Sequence, residues 1–211
     1  MTVEAKICGL STPETVDAAV RLGARYVGFV TYPKSPRHIS TETMRELGAR
    51  VPRDVTRVGL FVDPDDALLD EKLGSGALDL LQLHGSETPQ RVEAIRQRTG
   101  KPVMKVIKVA ATGDINQDIR TYADVADRLM FEPADGLLPG GNGEPFDWTI
   151  LSGRKISLPW LLAGGLTPEN VAEAVRVTGA RAVDVSSGVE ETRGVKSIDR
   201  IRAFLDRVKA L

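Results

Sequence analysis

The sequence has a single cysteine among its 211 residues. One thiol cannot form an internal disulfide or build a thiolate metal site, and such sparing use of cysteine is typical of a protein kept in a reducing compartment. A disulfide framework is therefore excluded, no metal is expected, and Cys8 has to be considered as an individual chemical group.

An excess of charge of either sign is also missing, since 28 Lys and Arg residues stand against 29 Asp and Glu residues. Without a strong net field the protein has no general attraction for nucleic acid or for an anionic membrane. Neither partner is expected, and any anionic ligand must be held by local groups.

Long apolar runs and polar low-complexity stretches are absent as well. The opening MTVEAKICGL has no basic region followed by an apolar run, and no later segment approaches the ~20 apolar residues that cross a bilayer. We expect an unexported, cytoplasmic protein with no membrane partner. Because no linker is visible, we also expect one catalytic domain that covers residues 1–211.

What the sequence does contain is a regular alternation of short apolar runs with longer amphipathic segments. This pattern predicts an α/β fold with a parallel sheet covered by helices, and about 200 residues suffice for eight strand–helix units. Helical spacing is clearest in TPETVDAAVRLG, TPENVAEAVRVTG and SIDRIRAFLDRVKAL. The predicted strands, each followed by a helix candidate, are Val3 to Cys8, Tyr26 to Val30, Arg57 to Val62, Leu78 to His84, Pro102 to Val109, Arg128 to Glu132, Trp160 to Ala163 and Ala182 to Ser186.

One unit occurs twice, as GLSTPETVDAAVRLGARYVGFV from Gly9 and GLTPENVAEAVRVTGARAVDV from Gly165. In both copies a threonine precedes a proline, so we expect Thr12 and Thr167 to cap helices whose first turn begins with the proline. The repeat supports a succession of βαβ units.

Polar residues fall at or just past the carboxyl end of nearly every predicted strand. An open doubly wound sheet would show the same alternation, but it uses one crevice, whereas a closed barrel collects its site from many strand ends. We therefore predict a single (βα)8 barrel, the TIM barrel. The residues in question are Cys8, Lys34, Arg37, Asp63, His84, Glu132, Gly164, Gly165, Asp184 and the run 186–188.

Six blocks, in order along the chain, resemble the phosphoribosylanthranilate isomerase family. They are KICGL from Lys6, GFVTYPKSPRHIS from Gly28, QLHG from Gln82, PGGNGEPFDW from Pro139, GGLTPENV from Gly164 and VDVSSGVE from Val183. The resemblance covers essentially the whole chain. It implies an isomerase of tryptophan biosynthesis that needs no cofactor and acts on a small phosphoribosyl substrate. The implied reaction is an Amadori rearrangement of N-(5-phosphoribosyl)anthranilate to 1-(2-carboxyphenylamino)-1-deoxyribulose 5-phosphate by general acid and base catalysis.

By this resemblance Cys8 is the general base. A base of this kind must be ionised, which calls for partial exposure and a positive neighbour or a helix terminus. The alternative is a buried structural thiol, because free cysteine is among the most buried residue types.

The general acid is expected at Glu132, where the sequence departs from the family. The family has an aspartate in a pattern like L-L-F-D, whereas this chain reads LMFE over 129–132. The added methylene moves the proton by about an ångström, and catalysis is sensitive to such displacements. The alternative for a lone glutamate is a solvated surface charge. Asp135 is a reserve candidate, while Asp127 precedes the strand and belongs to the opposite face.

The family pattern also assigns the binding groups. The phosphate is expected on backbone N–H groups and hydroxyls of two loops, unless these glycines and serines only turn the chain. Arg37 is assigned to the anthranilate carboxylate, with an exposed loop charge as the alternative. The phosphate-binding residues are Gly164, Gly165, Ser186, Ser187 and Gly188.

Three further residues have less certain roles. Asp184 is expected to orient sugar hydroxyls or the Cys8 thiol, or else to pack against a neighbouring strand. His84 is expected to contact substrate without transferring a proton, or else to bond a backbone carbonyl. Trp148 is expected to anchor the helix that follows it, and Gly140, Gly141 and Gly143 indicate a loop that closes over substrate.

Two other functions stay open on the sequence. The related sugar-phosphate isomerase of histidine biosynthesis would have an acidic base at the first strand, which Cys8 argues against. A catalytically weakened relative that binds phosphorylated ligands is suggested only by Glu132. We expect a monomer, because no surplus apolar helix face is evident.

Overall fold

The computed structural model describes residues 2–110, 114–134 and 147–211. Eight parallel strands close into a barrel in which each strand pairs with the next in sequence and the last pairs with the first. The closed barrel confirms the predicted fold class and excludes the open sheet. The strands are β1 Glu4–Cys8, β2 Tyr26–Val30, β3 Thr56–Phe61, β4 Leu80–Leu83, β5 Val103–Val109, β6 Arg128–Pro133, β7 Trp160–Leu162 and β8 Ala182–Val185.

Helices cover the outside of the barrel, and a hairpin of β9 Glu190–Thr192 with β10 Val195–Lys196 follows β8. Between β6 and β7 the described residues form only a short 3-10 helix, Trp148–Leu151, in place of the predicted α-helix. No helix within the described ranges is long and apolar enough to span a bilayer. The α-helices are α1 Pro13–Arg21, α2 Thr41–Gly48, α3 Asp66–Leu73, α4 Pro89–Thr99, α5 Ile115–Tyr122, α6 Val171–Thr178 and α7 Ile198–Lys209.

The two copies of the repeated unit begin their helices differently. Thr12 caps α1 as predicted, because its hydroxyl accepts a hydrogen bond from the Thr15 N–H. The prediction for Thr167 is wrong, since α6 begins only at Val171. The cause is Asn170, which stands where the first copy has Thr15. Its side-chain oxygen accepts from the Thr167 N–H and its amide donates to the Gly165 carbonyl, so a turn precedes the helix.

Strand alternation separates two buried layers. Ala5 and Ile7 on β1 belong to the large apolar core that also includes helix residues, while Lys6 and Cys8 point to the other side of the strand, into the barrel. A smaller apolar cluster, with Tyr26, Met104 and Met130 among its members, fills the barrel interior. Inward-facing residues at the carboxyl ends of the strands therefore line the open end of the barrel, above the apolar cluster that fills its interior.

Trp148 packs against the large core as the first residue of the short 3-10 helix, so it is a packing residue, although the following α-helix that it was expected to anchor is not formed in the described residues before β7. The reserve candidate Asp135 and the glycines 140, 141 and 143 of the predicted closing loop lie outside the described residues.

Candidate active site

A cleft of about 580 Å³ opens at the carboxyl ends of the barrel strands. Nearly all of the predicted site residues line it, although they come from distant parts of the sequence. Gly188 lies just beyond its lining. The predicted residues in the cleft are Cys8, Arg37, His84, Glu132, Gly164, Gly165, Asp184, Ser186 and Ser187.

Cys8 has a positive neighbour within the barrel. Lys6, two residues earlier on the same face of β1, is fully buried, and its ammonium donates to Asp184 Oδ1 over 2.8 Å. Burial alone would lower the pKa of Lys6, but Asp184 and Cys8 outweigh that effect and the pKa is raised. Cys8 is itself 4 % exposed, and that surface faces the cleft. The thiol thus has a cation beside it and an opening toward a ligand.

Glu132 closes β6 and is buried, so the alternative of a solvated surface charge is wrong. Its Oε1 is approached by two donors, one from the adjacent strand β5 and one from the residue that follows β4. His84 Nε2 lies 2.6 Å away, and the Lys108 ammonium contacts the same oxygen. Lys108 is the direct cross-strand partner of Glu132 in the register of β5 and β6.

The protonation state of His84 follows from its surroundings. Burial, followed by the charge of Lys108, lowers the pKa of His84 to about 3. The imidazole is therefore neutral at pH 7. Its Nδ1 accepts from Gln82 Nε2 over 2.9 Å, so its one proton lies on Nε2 and is donated to Glu132. These partners are side chains, and the backbone carbonyl considered for His84 is not its partner.

Lys108 differs electrostatically from an ordinary surface lysine. Burial, followed by repulsion from Lys105, lowers its pKa to about 8. Lys105 itself is occupied elsewhere, because it donates to Glu87 Oε2 and to the Gly85 carbonyl, each over 2.7 Å.

Arg37 is buried, so the exposed loop charge considered for it is wrong. Its Nε and Nη2 donate to the two oxygens of Glu190 over 2.6 and 2.8 Å. Lys196 also donates to Glu190 over 2.7 Å. Although burial would raise the pKa of Glu190, these donors hold it at about 2. Glu190 thus fixes one edge of the guanidinium, and no acceptor for Nη1 is found among the described residues.

The two predicted phosphate loops touch each other. A Cβ on Gly188 would lie 1.9 Å from the Leu166 carbonyl oxygen, so only glycine permits this approach. Gly164 and Gly165 have φ values of +87° and +64°, which favour glycine. Lys196 donates to the Ser186 carbonyl over 2.9 Å and so places a buried cation beneath this loop.

Sequence reasoning missed five polar residues of this region: Lys6, Gln82, Lys108, Glu190 and Lys196. Lys6 and Gln82 each lie two residues before a predicted site residue, Cys8 and His84, and that spacing is a usable signal. Lys108 lies on β5, which carries no predicted site residue. Glu190 ends the VDVSSGVE block but was assigned no role there, and no pattern predicted the hairpin after β8 that holds Glu190 and Lys196.

Comparison with known proteins agrees with this geometry. A family model described as N-(5'phosphoribosyl)anthranilate (PRA) isomerase matches residues 5–207. The N-(5'-phosphoribosyl)anthranilate isomerase of Paramagnetospirillum magneticum is 57 % identical over 97 % of this chain and 96 % of its own. That of Paracoccus denitrificans is 56 % identical over 100 % of this chain and 99 % of its own.

Solved structures show the same fold over the full length. The phosphoribosyl anthranilate isomerase of Thermotoga maritima superposes with a TM-score of 0.89 at 36 % identity and covers 100 % of both chains. A phosphoribosyl anthranilate isomerase in complex with reduced 1-(o-carboxyphenylamino)-1-deoxyribulose 5-phosphate superposes with a TM-score of 0.86 at 35 % identity, again over 100 % of both chains. The chain therefore belongs to the N-(5'-phosphoribosyl)anthranilate isomerase family.

Proposed function

We propose that this chain catalyses the reaction of its family with Cys8 as general base and Glu132 as general acid. The reaction is the isomerisation of N-(5-phosphoribosyl)anthranilate to 1-(2-carboxyphenylamino)-1-deoxyribulose 5-phosphate in tryptophan biosynthesis. The observation that carries the assignment is that Cys8 on β1 and Glu132 on β6 line one cleft. These strands are not neighbours in the barrel, so a sugar between them meets the two groups from different sides.

Ring opening is the first step. Glu132 donates a proton to the furanose oxygen as the bond from that oxygen to C1 breaks, and the anthranilate nitrogen supplies the electron pair that forms the Schiff base. The hydrogen bond from His84 fixes the position of Glu132 Oε1. This contact supports a placement of the carboxyl group that compensates for the extra methylene of glutamate.

Proton removal from C2 is the second step. The Cys8 thiolate takes this proton, and the electrons of the C–H bond form the C1–C2 double bond of an enolamine while the nitrogen loses its positive charge. The Cys8 thiol then gives this proton to C1, which restores the thiolate, and the C2 hydroxyl releases its proton as the ketone forms. Lys6 lies beside the sulfur, and Asp184 and Cys8 together raise the pKa of the Lys6 ammonium despite its burial.

The binding groups complete the assignment. The loops after β7 and β8, with Gly164, Gly165 and residues 186–188, offer N–H groups and hydroxyls to the phosphate. Arg37 offers Nη1 to the anthranilate carboxylate, while Asp184 bonds Lys6 and faces the sugar from β8. In this scheme the whole chain acts as one catalytic domain. The predicted cytoplasmic location and monomeric state stay predictions.

The proposal is tested by assaying turnover of the anthranilate adduct with purified wild type, Cys8→Ala and Glu132→Gln. Loss of a positioned acid or base should lower kcat by about two to four orders of magnitude, while substrate binding survives. Glu132→Asp tests the departure from the family pattern. Turnover by the parent protein supports the enzyme, whereas activity only in Glu132→Asp would indicate a decayed relative that retains ligand binding.

A Glu132→Gln variant with full kcat would overturn the acid assignment, and Asp135→Asn would then be the next variant to assay. An inactive wild type that turns over the corresponding substrate of histidine biosynthesis would overturn the proposed reaction as a whole.

A further inference from the structure

An acid that gives up a proton in every turnover must regain one. Glu132 is 5 % exposed, so it has little direct access to water. If Glu132 is the acid proposed above, on which this inference rests, the groups that contact its carboxyl determine how the proton is replaced.

Two donors reach that carboxyl among the described residues, and both end on Oε1. His84 cannot supply a net proton, because it is a neutral imidazole whose single proton is already in the bond to Glu132. Its other nitrogen is occupied by Gln82, which is fully buried. The chain from Glu132 through His84 therefore ends at a side chain with no exposed surface.

Lys108 has the opposite properties. It carries a transferable proton as an ammonium group, it contacts Oε1, and 38 % of its side-chain surface is exposed. It therefore connects a buried carboxyl with solvent. The cross-strand register of β5 and β6 places the two side chains next to each other.

We propose that Lys108 is the residue that returns the proton to Glu132 in each catalytic cycle. Glu132 gives its proton to the ring oxygen and is left as a carboxylate. The Lys108 ammonium then donates one proton to that carboxylate and becomes a neutral amine, which takes a proton from water. The cycle balances, because the C2 hydroxyl of the substrate releases one proton to water when the enolamine becomes the ketone.

The charges around Lys108 are consistent with this role. Glu132 faces it from β6, His84 from β4, and Lys105 lies on its own strand. Burial and the charge of Lys105 together ease release of the proton near neutral pH. An ordinary exposed lysine would hold its proton too firmly to act as a donor at that pH.

Three substitutions at Lys108 separate proton return from simple positioning. Lys108→Met removes the charge at similar length, Lys108→Arg keeps a charge that is not released below about pH 12, and Lys108→Ala leaves room for an added amine. We expect kcat to fall by about 30-fold or more in Lys108→Met and in Lys108→Arg, within the range for a lost proton-transfer group, with KM changed by less than about threefold. Lys155→Met, which removes an exposed lysine, is the matched control and should retain full kcat.

Chemical rescue gives the decisive measurement. Added ethylamine should restore kcat of Lys108→Ala in a saturable way, whereas ethylguanidinium, which keeps its proton, should not. The wild-type kcat should decline above about pH 8, where Lys108 loses its proton, and this decline should be absent in Lys108→Met.

Lys108→Arg with kcat within threefold of wild type would overturn the proposal and leave Lys108 as a positioning residue. Folded Lys108→Ala that ethylamine does not rescue would overturn it as well. After either result, a wild type that turns over the substrate leaves the proposed function intact. A wild type without isomerase turnover would overturn the proposed function and the role of Lys108 together.

Discussion

Gly28 on β2 leaves space for both Lys6 and Cys8 on β1. A Cβ at this position would lie 3.0 Å from Lys6 Nζ and 3.1 Å from Cys8 Sγ. The absence of a side chain thus lets a buried ammonium and the proposed catalytic thiol share one corner of the barrel.

Gly28→Ala should therefore displace the thiol or the ammonium by a few tenths of an ångström. We expect kcat to fall by about tenfold, because catalysis responds steeply to small displacements of a reacting group. Steady-state kinetics with the purified variant measure the effect. Gly59→Ala is the control. Its Cβ would clash with Leu78 and Phe61, and neither residue lines the cleft. It should lower the melting temperature and leave kcat per folded molecule unchanged. Equal loss of kcat in both variants would show that Gly28 acts through general packing.

Asp184 provides the counter-charge for Lys6, whose side chain has no exposed surface. Asp184→Asn keeps the shape but leaves a buried ammonium without its partner, so we expect a loss of about 3 kcal/mol in the free energy of unfolding at pH 7. Urea denaturation measures this loss. The double variant Lys6→Met with Asp184→Asn removes both charges and should regain part of the stability without regaining activity. If Asp184→Asn were as stable as wild type, the pair would not be a structural requirement.

Much of the fold was predictable because alternation and strand-end polarity are local signals. β2 has the predicted bounds, Tyr26–Val30, whereas β4 is shorter than predicted, at Leu80–Leu83. His84 nevertheless continues the sheet for one hydrogen bond, from its N–H to the Phe61 carbonyl. The start of α6 was not predictable from the Thr-Pro pair, because in the second copy the Asn170 side chain bonds the backbone of Thr167 and Gly165 and a turn forms before the helix.

The position of the candidate site could be predicted from the sequence, but the charge pairs within the site could not be predicted as well. A lysine that alternates with apolar residues on a strand can face water or the barrel interior, and burial of its charge requires a partner that comes from another strand. Lys6 contacts Asp184 only because barrel closure pairs β8 with β1, whereas Lys108 contacts Glu132 through the register of the adjacent strands β5 and β6. Arg37 illustrates the same limit, since its partner Glu190 is 153 residues away.

The Arg37–Glu190 pair predicts a specific dependence of stability on pH. Because the pKa of Glu190 is lowered from 4.5 to about 2 in the folded protein, its contribution to stability is fully present above about pH 4.5. The contribution is lost as the pH falls toward 2. The difference in free energy of unfolding between wild type and Glu190→Gln should therefore narrow between pH 5 and pH 2.5.

Urea titrations of both proteins at several pH values measure that difference. Glu191→Gln is the control, because Glu191 is an exposed neighbour on the same strand. If the difference in free energy of unfolding between wild type and Glu190→Gln stayed constant from pH 5 to pH 2.5, Glu190 would stabilise the protein through packing and not through its charge.

Gly188 tests the phosphate loops, because its Cα lies against the Leu166 carbonyl that follows β7. Gly188→Ala must push the two loops apart, since backbone cannot yield as a flexible side chain does. The N–H groups proposed to hold the phosphate would then no longer converge. We expect KM to rise by about tenfold or more, with a smaller change in kcat, because the lost interaction contributes to binding in the ground state and the transition state alike.

Inorganic phosphate should inhibit wild type competitively and the variant less strongly. Gly74→Ala, which crowds a backbone carbonyl oxygen of Asp70 at a position that does not line the cleft, is the control and should leave KM unchanged. A Gly188→Ala variant with unaltered KM and unaltered inhibition by phosphate would place the phosphate elsewhere on the rim.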